Sequence, residues 1–241
     1  MNTKEHYEQH LHSYYSWIYG GFENKIEENR KFFDNNKIKP KSTKNAIDLG
    51  AGSGFQSIPL AELGFEVKAI DFSKKLLEEL ESKKNNLNIE IIENDILNFS
   101  IYSKYNPELI ICMGDTLTHL ENLKSVEDLT INSYKILTTN GKLIYTFRDL
   151  TYELKDEKRF IPVRSDENKI FTCFLEYYPD YIKVFDIVHD KENGKWNQKI
   201  SFYQKIKISE EKIKNIFTSS GFEIEFFDNK NGLITIIGKK D

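Results

Sequence analysis

From Ala46 onward the chain alternates short apolar runs with amphipathic stretches. "NAIDLG", "EVKAIDF", "IEIIENDI", "ELIICMG" and "KLIYTF" are β-branched-rich and bounded by Gly, Asn or Asp, so they predict buried strands. Between them "FQSIPLAELG", "SKKLLEELESKK" and "SVEDLTINSYKILTTNG" repeat apolar residues at three- and four-residue steps and predict helices. Gly64 ends the first, Ser73 N-caps the second, and Ser125 with Asp128 resembles a capping box on the third. This alternation predicts an α/β, Rossmann-like fold: a mostly parallel sheet with helices on both faces.

The rhythm changes after that block. "KIFTCFLEYY", "YIKVFDIVH" and "KWNQKISFYQKIKI" are long and β-rich, with only "PD" and "KENG" turns between them, and predict an antiparallel β-meander inserted at 165–208. Phe171, Phe174, Tyr177 and Phe202 alternate with polar residues there, so one face either lines a pocket or mediates a dimer. "SEEKIKNIFTSSG" then reads as a helix and "EIEFFDN" with "LITIIGK" as a closing hairpin, over 209–241. Ahead of the core, Tyr7, Leu11, Tyr14, Tyr15, Ile18 and Phe22 recur at helical steps until Gly20-Gly21, predicting two short helices in a flap over 1–40. The whole, 1–241, reads as one domain whose core spans 44–150.

Composition narrows the partners. The 241 residues carry a net charge of −4, and the lysines are scattered among acids, which argues against a nucleic-acid partner. Cys112 and Cys173 form no CxxC pair, so no disulfide framework or structural zinc is indicated. With no basic start before an apolar segment and no run of about 18 apolar residues, the expectation is a cytoplasmic protein with no membrane partner and a small-molecule ligand. His6, His10 and His12 lack a carboxylate cluster and read as a solvated helix face, with no metal.

The candidate chemistry starts at "DLGAGSG". Gly50, Gly52 and Gly54 make GxGxG, one residue short of the dinucleotide fingerprint GxGxxG. Such glycines permit positive φ and close approach of backbone to a ligand. Asp71 ends the second strand about 20 residues on, where a carboxylate accepts both hydroxyls of a ribose and disfavours a ribose phosphate. Asp48 precedes the loop, and Asp95 in "ENDI" follows the third strand.

"AIDLGAGSG", "AIDFS", "ENDI" and "LIICMGD", at these spacings, resemble the ligand motifs of class I S-adenosylmethionine-dependent methyltransferases. The resemblance covers about Ala46 to Phe147, and the final helix and hairpin are similar to that family's end, which implies a seven-stranded sheet whose last strand is antiparallel. It implies S-adenosyl-L-methionine as cofactor: Gly50, Ala51, Gly52 and Gly54 along the methionine part, Asp71 and Ser73 by the ribose, Phe72 on one adenine face, Asp95 and Ile96 at the adenine edge. Asp48 would orient the loop or approach the amino group, and Met113 and Gly114 would border the site.

For the acceptor, "CMGDTLTHL" and "YTFRD" resemble segments of glycine- and sarcosine-type N-methyltransferases, which implies an amine more than a hydroxyl. Asp115 stands where that group commonly has Asn, and Arg148 matches an arginine that grips the substrate carboxylate. Catalytic roles are therefore expected of Asp115, His119 and Arg148. Plainer readings stand beside them: Asp115 as the N-cap of the next helix, His119 as a satisfied buried histidine, Arg148 in an ion pair with Asp149 or Glu153. Tyr14, Tyr15 and Trp17 of the flap either close on the ligand or belong to the core. The oligomer is a monomer or a homodimer through the β insertion. A nicotinamide-dependent oxidoreductase and a non-catalytic S-adenosylmethionine-binding module remain the alternative functions, the first weakened by the spacing of the glycines.

Overall fold

The computed structural model describes residues 3–241, so the first two residues of the expected flap lie outside the described ones. The chain opens with a continuous aromatic strap: α1 (Thr3–His6), a π-turn (Tyr7–Leu11), a 3-10 turn (His12–Tyr14) and α2 (Tyr15–Ile18). Gly20 and Gly21, at φ +87° and +106°, break it before α3 (Phe22–Asn35). The polar connector that follows is pinned from the core, because the buried Glu108 carboxylate accepts the backbone N–H groups of Lys41, Ser42 and Lys44.

The core then runs β1 (Asn45–Leu49), α4 (Ser57–Glu62), β2 (Glu66–Asp71), α5 (Lys74–Lys83), β3 (Ile89–Glu93), a short α6 (Phe99–Tyr102), β4 (Leu109–Cys112), α7 (Leu123–Ile136) and β5 (Lys142–Arg148). A second sheet follows, β6 (Phe160–Ser165), β7 (Lys169–Tyr177), β8 (Tyr181–Glu192) and β9 (Lys195–Ile206). The chain returns to the first sheet through α8 (Glu210–Ser219), β10 (Glu223–Lys230) and β11 (Leu233–Lys239). The seven-stranded order is β10-β11-β5-β4-β1-β2-β3, parallel from β3 to β5, with β11 antiparallel to β5 and β10. The α/β architecture, the reversed last strand and the separate antiparallel sheet are those expected.

Strand alternation divides the core between the two faces of the sheet. Ile47 and Leu49 of β1 and Ile110 and Cys112 of β4 pack with Val126, Leu129 and Phe217 of α7 and α8. Ala46, Leu109 and Ile111 point the other way, into Ile26, Leu60, Leu77 and Leu80 of α3, α4 and α5. Ser73 caps α5 as expected, its hydroxyl accepting from Leu76 N–H. The cap of α7 is Asn122, whose side chain accepts from Ser125 N–H, so Ser125 is the residue capped and not the cap.

The second sheet begins at Phe160, with an edge strand the pattern does not show because Pro162 interrupts it. Pro162 sits at a register shift, where a missing N–H costs no ladder bond. Phe171 and Tyr177 face inward with Leu175, Ile182 and Val184. Phe174 and Phe202 are on the outer face, in a ring row from Phe160 to Phe174, Phe185 and Phe202 across the four strands.

Candidate active site

The strand order reverses between β1 and β4, and a cleft opens at the carboxyl ends of those two strands, where open α/β sheets bind their ligands. Gly50, after β1, adopts φ +82°, and a Cβ there would stand 2.3 Å from the Thr116 side chain. Only glycine allows the turn and the close approach together. The turn is held by Ile70 C=O, which accepts from Gly50 N–H at 2.8 Å and Ala51 N–H at 2.9 Å.

Asp71 links this turn to the next strand end. One carboxylate oxygen accepts from Gly52 N–H at 2.8 Å and the other from Ser73 N–H at 2.7 Å. Burial nonetheless pushes its carboxyl above the ordinary aspartate range. Each oxygen keeps a second lone pair for a donor in the cleft.

The cleft holds about 500 Å³, and Gly50, Asp71, Phe72, Asp95, Ile96 and Gly114 line it. Tyr15 lines it as well and stacks on Phe55 at 5.5 Å. Gly54 serves packing instead: a Cβ there would meet Leu80 of α5 at 2.2 Å. Ala51 and Met113 are buried behind the cleft. The Ser73 hydroxyl donates to Glu8 of the strap at 2.7 Å.

Asp48 supports the loop from below. Its carboxylate accepts from the Ser57 hydroxyl at 2.6 Å, and burial pushes its pKa up to about 7. A raised carboxyl keeps its proton in the fold after the unfolded chain has lost its own, so stability falls as pH rises from about 4 to about 7. Asp48→Asn is therefore expected to raise Tm over the parent chain at pH 8 and to give no gain at pH 4, as thermal melts at the two values check.

A second chamber adjoins the first. It holds about 830 Å³ between the end of β5 and the inner face of the second sheet. Tyr7, Tyr15 and Gly114 line both spaces and form the throat between them. Asp115 and Arg148 line the chamber and His119 the cleft.

Asp115 is already hydrogen-bonded through both oxygens. One oxygen accepts from Arg148 N–H at 2.6 Å and the other from the Lys205 ammonium at 2.7 Å. Burial alone would raise its pKa, but the Lys205 charge and these hydrogen bonds hold it below the usual carboxylate range. Asp115 does precede a helical turn, Thr116–His119, but its side chain makes no capping bond.

His119 packs between the Tyr7 and Tyr203 rings, with Nε2 3.3 Å from the Tyr7 hydroxyl. Burial and the nearby Lys205 hold its pKa well below the ordinary histidine value, so the imidazole is neutral near pH 7. Its Nδ1 is buried without a hydrogen-bond partner. The Arg148 guanidinium makes no hydrogen bond or ion pair among the described residues; Asp149 accepts from Thr151, and Glu153 takes Lys207.

Tyr14 and Trp17 turn away from the cleft. The Tyr14 hydroxyl donates to Asp190 of β8, and the Trp17 indole donates to Asp166 at 2.7 Å, so both fasten the strap to the second sheet. His6 is fully buried and pairs with Asp186 of β8 at 3.0 Å, contrary to a solvated helix face. Tyr7, Asp186, Tyr203 and Lys205 are site residues that the sequence pattern did not single out.

The methyltransferase-domain family matches residues 46–141, the block that builds the cleft. Residues 46–141 are thus similar to a methyltransferase domain. The chain has the fold of an S-adenosylmethionine-dependent methyltransferase from Clostridium acetobutylicum, with TM-score 0.76 and 16% identity over 97% of this chain and 98% of that one. It shares the fold also with an amino pentose methyltransferase from Micromonospora echinaspora, solved with S-adenosylmethionine bound, at TM-score 0.72, 10% identity and 91% of each chain. A glycine/sarcosine N-methyltransferase from Halorhodospira halochloris is 30% identical over 117 residues, 47% of this chain and 43% of the relative. The match spans less than half the length of that relative. No helix among the described residues is long and apolar enough to cross a membrane.

Proposed function

We propose that this methyltransferase moves a methyl group from S-adenosyl-L-methionine to an amine nitrogen of a small molecule that carries an acidic group. The observation that carries the reading is the pair of adjoining spaces with a common throat at Tyr7, Tyr15 and Gly114. The cleft fits the donor: Gly50 allows close backbone approach, Asp71 offers lone pairs to a ribose, and Phe72, Asp95 and Ile96 suit an adenine. When bound, such a donor supplies an electrophilic methyl on a sulfonium.

The chain's own residues do the rest by position. Orienting two reactants contributes roughly 7–11 kcal/mol of barrier reduction, so a methyl transfer needs no covalent enzyme intermediate. The Tyr7 and Tyr15 rings line the throat and keep water from it. Arg148, unpaired and on the chamber wall, binds the acidic group of the acceptor. An amine reacts through its lone pair, so its extra proton must leave; neutral His119, in reach of the Tyr7 hydroxyl, accepts it. Asp115 acts as the fixed counter-charge to Lys205.

Calorimetry with S-adenosylhomocysteine and with NAD, followed by an acceptor screen using labelled methyl donor, tests this. Tight binding of S-adenosylhomocysteine and label on an amino-acid nitrogen are expected. Preference for NAD sinks the reading, and label only on hydroxyl acceptors sinks its amine part.

A further inference from the structure

The chamber is far roomier than an acceptor of glycine size needs. About 830 Å³ lies within the ~300–1,000 Å³ of sites that enclose drug-sized ligands. Its walls are apolar: Phe171, Leu175, Ile182 and Val184 project from β7 and β8, and Leu150 and Leu11 meet them from β5's exit and the strap. The ionic groups on these walls are mostly spoken for, Asp115 by Lys205 and Asp186 by His6. Asp149 accepts only from Thr151, and Arg148, whose backbone N–H bonds Asp115, is left as the unpaired cation of the wall among the described residues.

We propose, on the methyltransferase reading above, that the acceptor is an amphiphilic amino acid: carboxylate on Arg148, amine at the throat, and an aliphatic or aromatic body along the β7–β8 face. A buried methylene is worth about 0.8 kcal/mol, so affinity rises up to about fourfold for each one the chamber covers. A glycine-sized acceptor would leave those walls wet.

The test uses the full chain saturated with S-adenosylhomocysteine and titrates acetate, hexanoate, octanoate and decanoate by calorimetry. Kd is expected to fall about threefold per added methylene. Arg148→Gln, a change at an exposed side chain, is expected to weaken decanoate about tenfold and to leave 1-decanol unchanged. A series flat in chain length, no binding of decanoate, or decanoate binding indifferent to Arg148→Gln overturns the proposal. Failure to bind S-adenosylhomocysteine overturns the methyltransferase reading itself, whereas a flat series on a chain that binds it overturns only the amphiphilic acceptor.

Discussion

Asp71→Ala is expected to raise the dissociation constant for S-adenosylhomocysteine on the order of 100-fold. The carboxylate accepts from Gly52 and Ser73 N–H and, on the proposed function, from the cofactor as well, so its loss would remove ligand contacts and untie the glycine turn. Charge-assisted hydrogen bonds contribute about 1.5–3 kcal/mol each, and about 1.4 kcal/mol is a factor of ten. Asp71→Asn keeps one acceptor oxygen and should fall between the two. Calorimetry on variants of unchanged circular dichroism reads the effect. An alanine variant that binds within about threefold of the parent chain would remove Asp71 from the site.

Lys205→Met carries the largest expected cost to stability. Lys205 of β9 is buried and Asp115, in the loop after β4, is half-buried, and removing the lysine leaves a carboxylate with its second oxygen unsatisfied. Breaking a buried pair costs about 3–5 kcal/mol, and partial exposure puts this one at or below the lower figure. At about 2–4 °C per kcal/mol for a chain of this size, Tm drops by at most about 6–12 °C. Adding Asp115→Asn, which tolerates the left-handed φ of +79°, should return much of the loss. The folded pKa of Asp115 is depressed, so the pair's contribution is present above about pH 4 and fades as pH falls through the folded value. The gap between Lys205→Met and the parent chain should therefore shrink in acid. A gap that widens there counts against the ion pair.

Local signals account for most of the fold and half of the site. The strand exits at Gly50, Asp71 and Gly114 are legible because each follows an apolar run directly, and Asp95 stands two residues past β3; topology gathers strand ends without further information. Tyr14 and Tyr15 were not separable in the same way. They are neighbours about 100° apart on a helical turn, and which one faces the cleft is decided by the second sheet, through Asp190.

Asp186 and Lys205, missed altogether, and His6, read as part of a solvated face, take partners far away in the chain. A signal was there in principle: Asp186 shares the inward parity of Ile182 and Val184, and Lys205 that of Tyr203, so each is a charge on the apolar face of a strand. A charge in that place needs a buried partner or a ligand. Strand β6 was hidden by Pro162, and the α7 cap by a competing Ser125, both cases where two local rules disagreed.

The strap is fastened on two sides of unequal strength. Toward the second sheet two of its ties are buried, Tyr14 with Asp190 and His6 with Asp186, and a third, Trp17 with Asp166, is exposed. Toward the core, Lys75 reaches Glu8 in bonds open to solvent, and Glu8 and Ser16 meet Ser73 and Glu79 in half-buried ones. Water competes best for the exposed bonds, so the solvent-open ties of Lys75 and of Trp17 are the first to loosen, and the buried ones hold the strap in place.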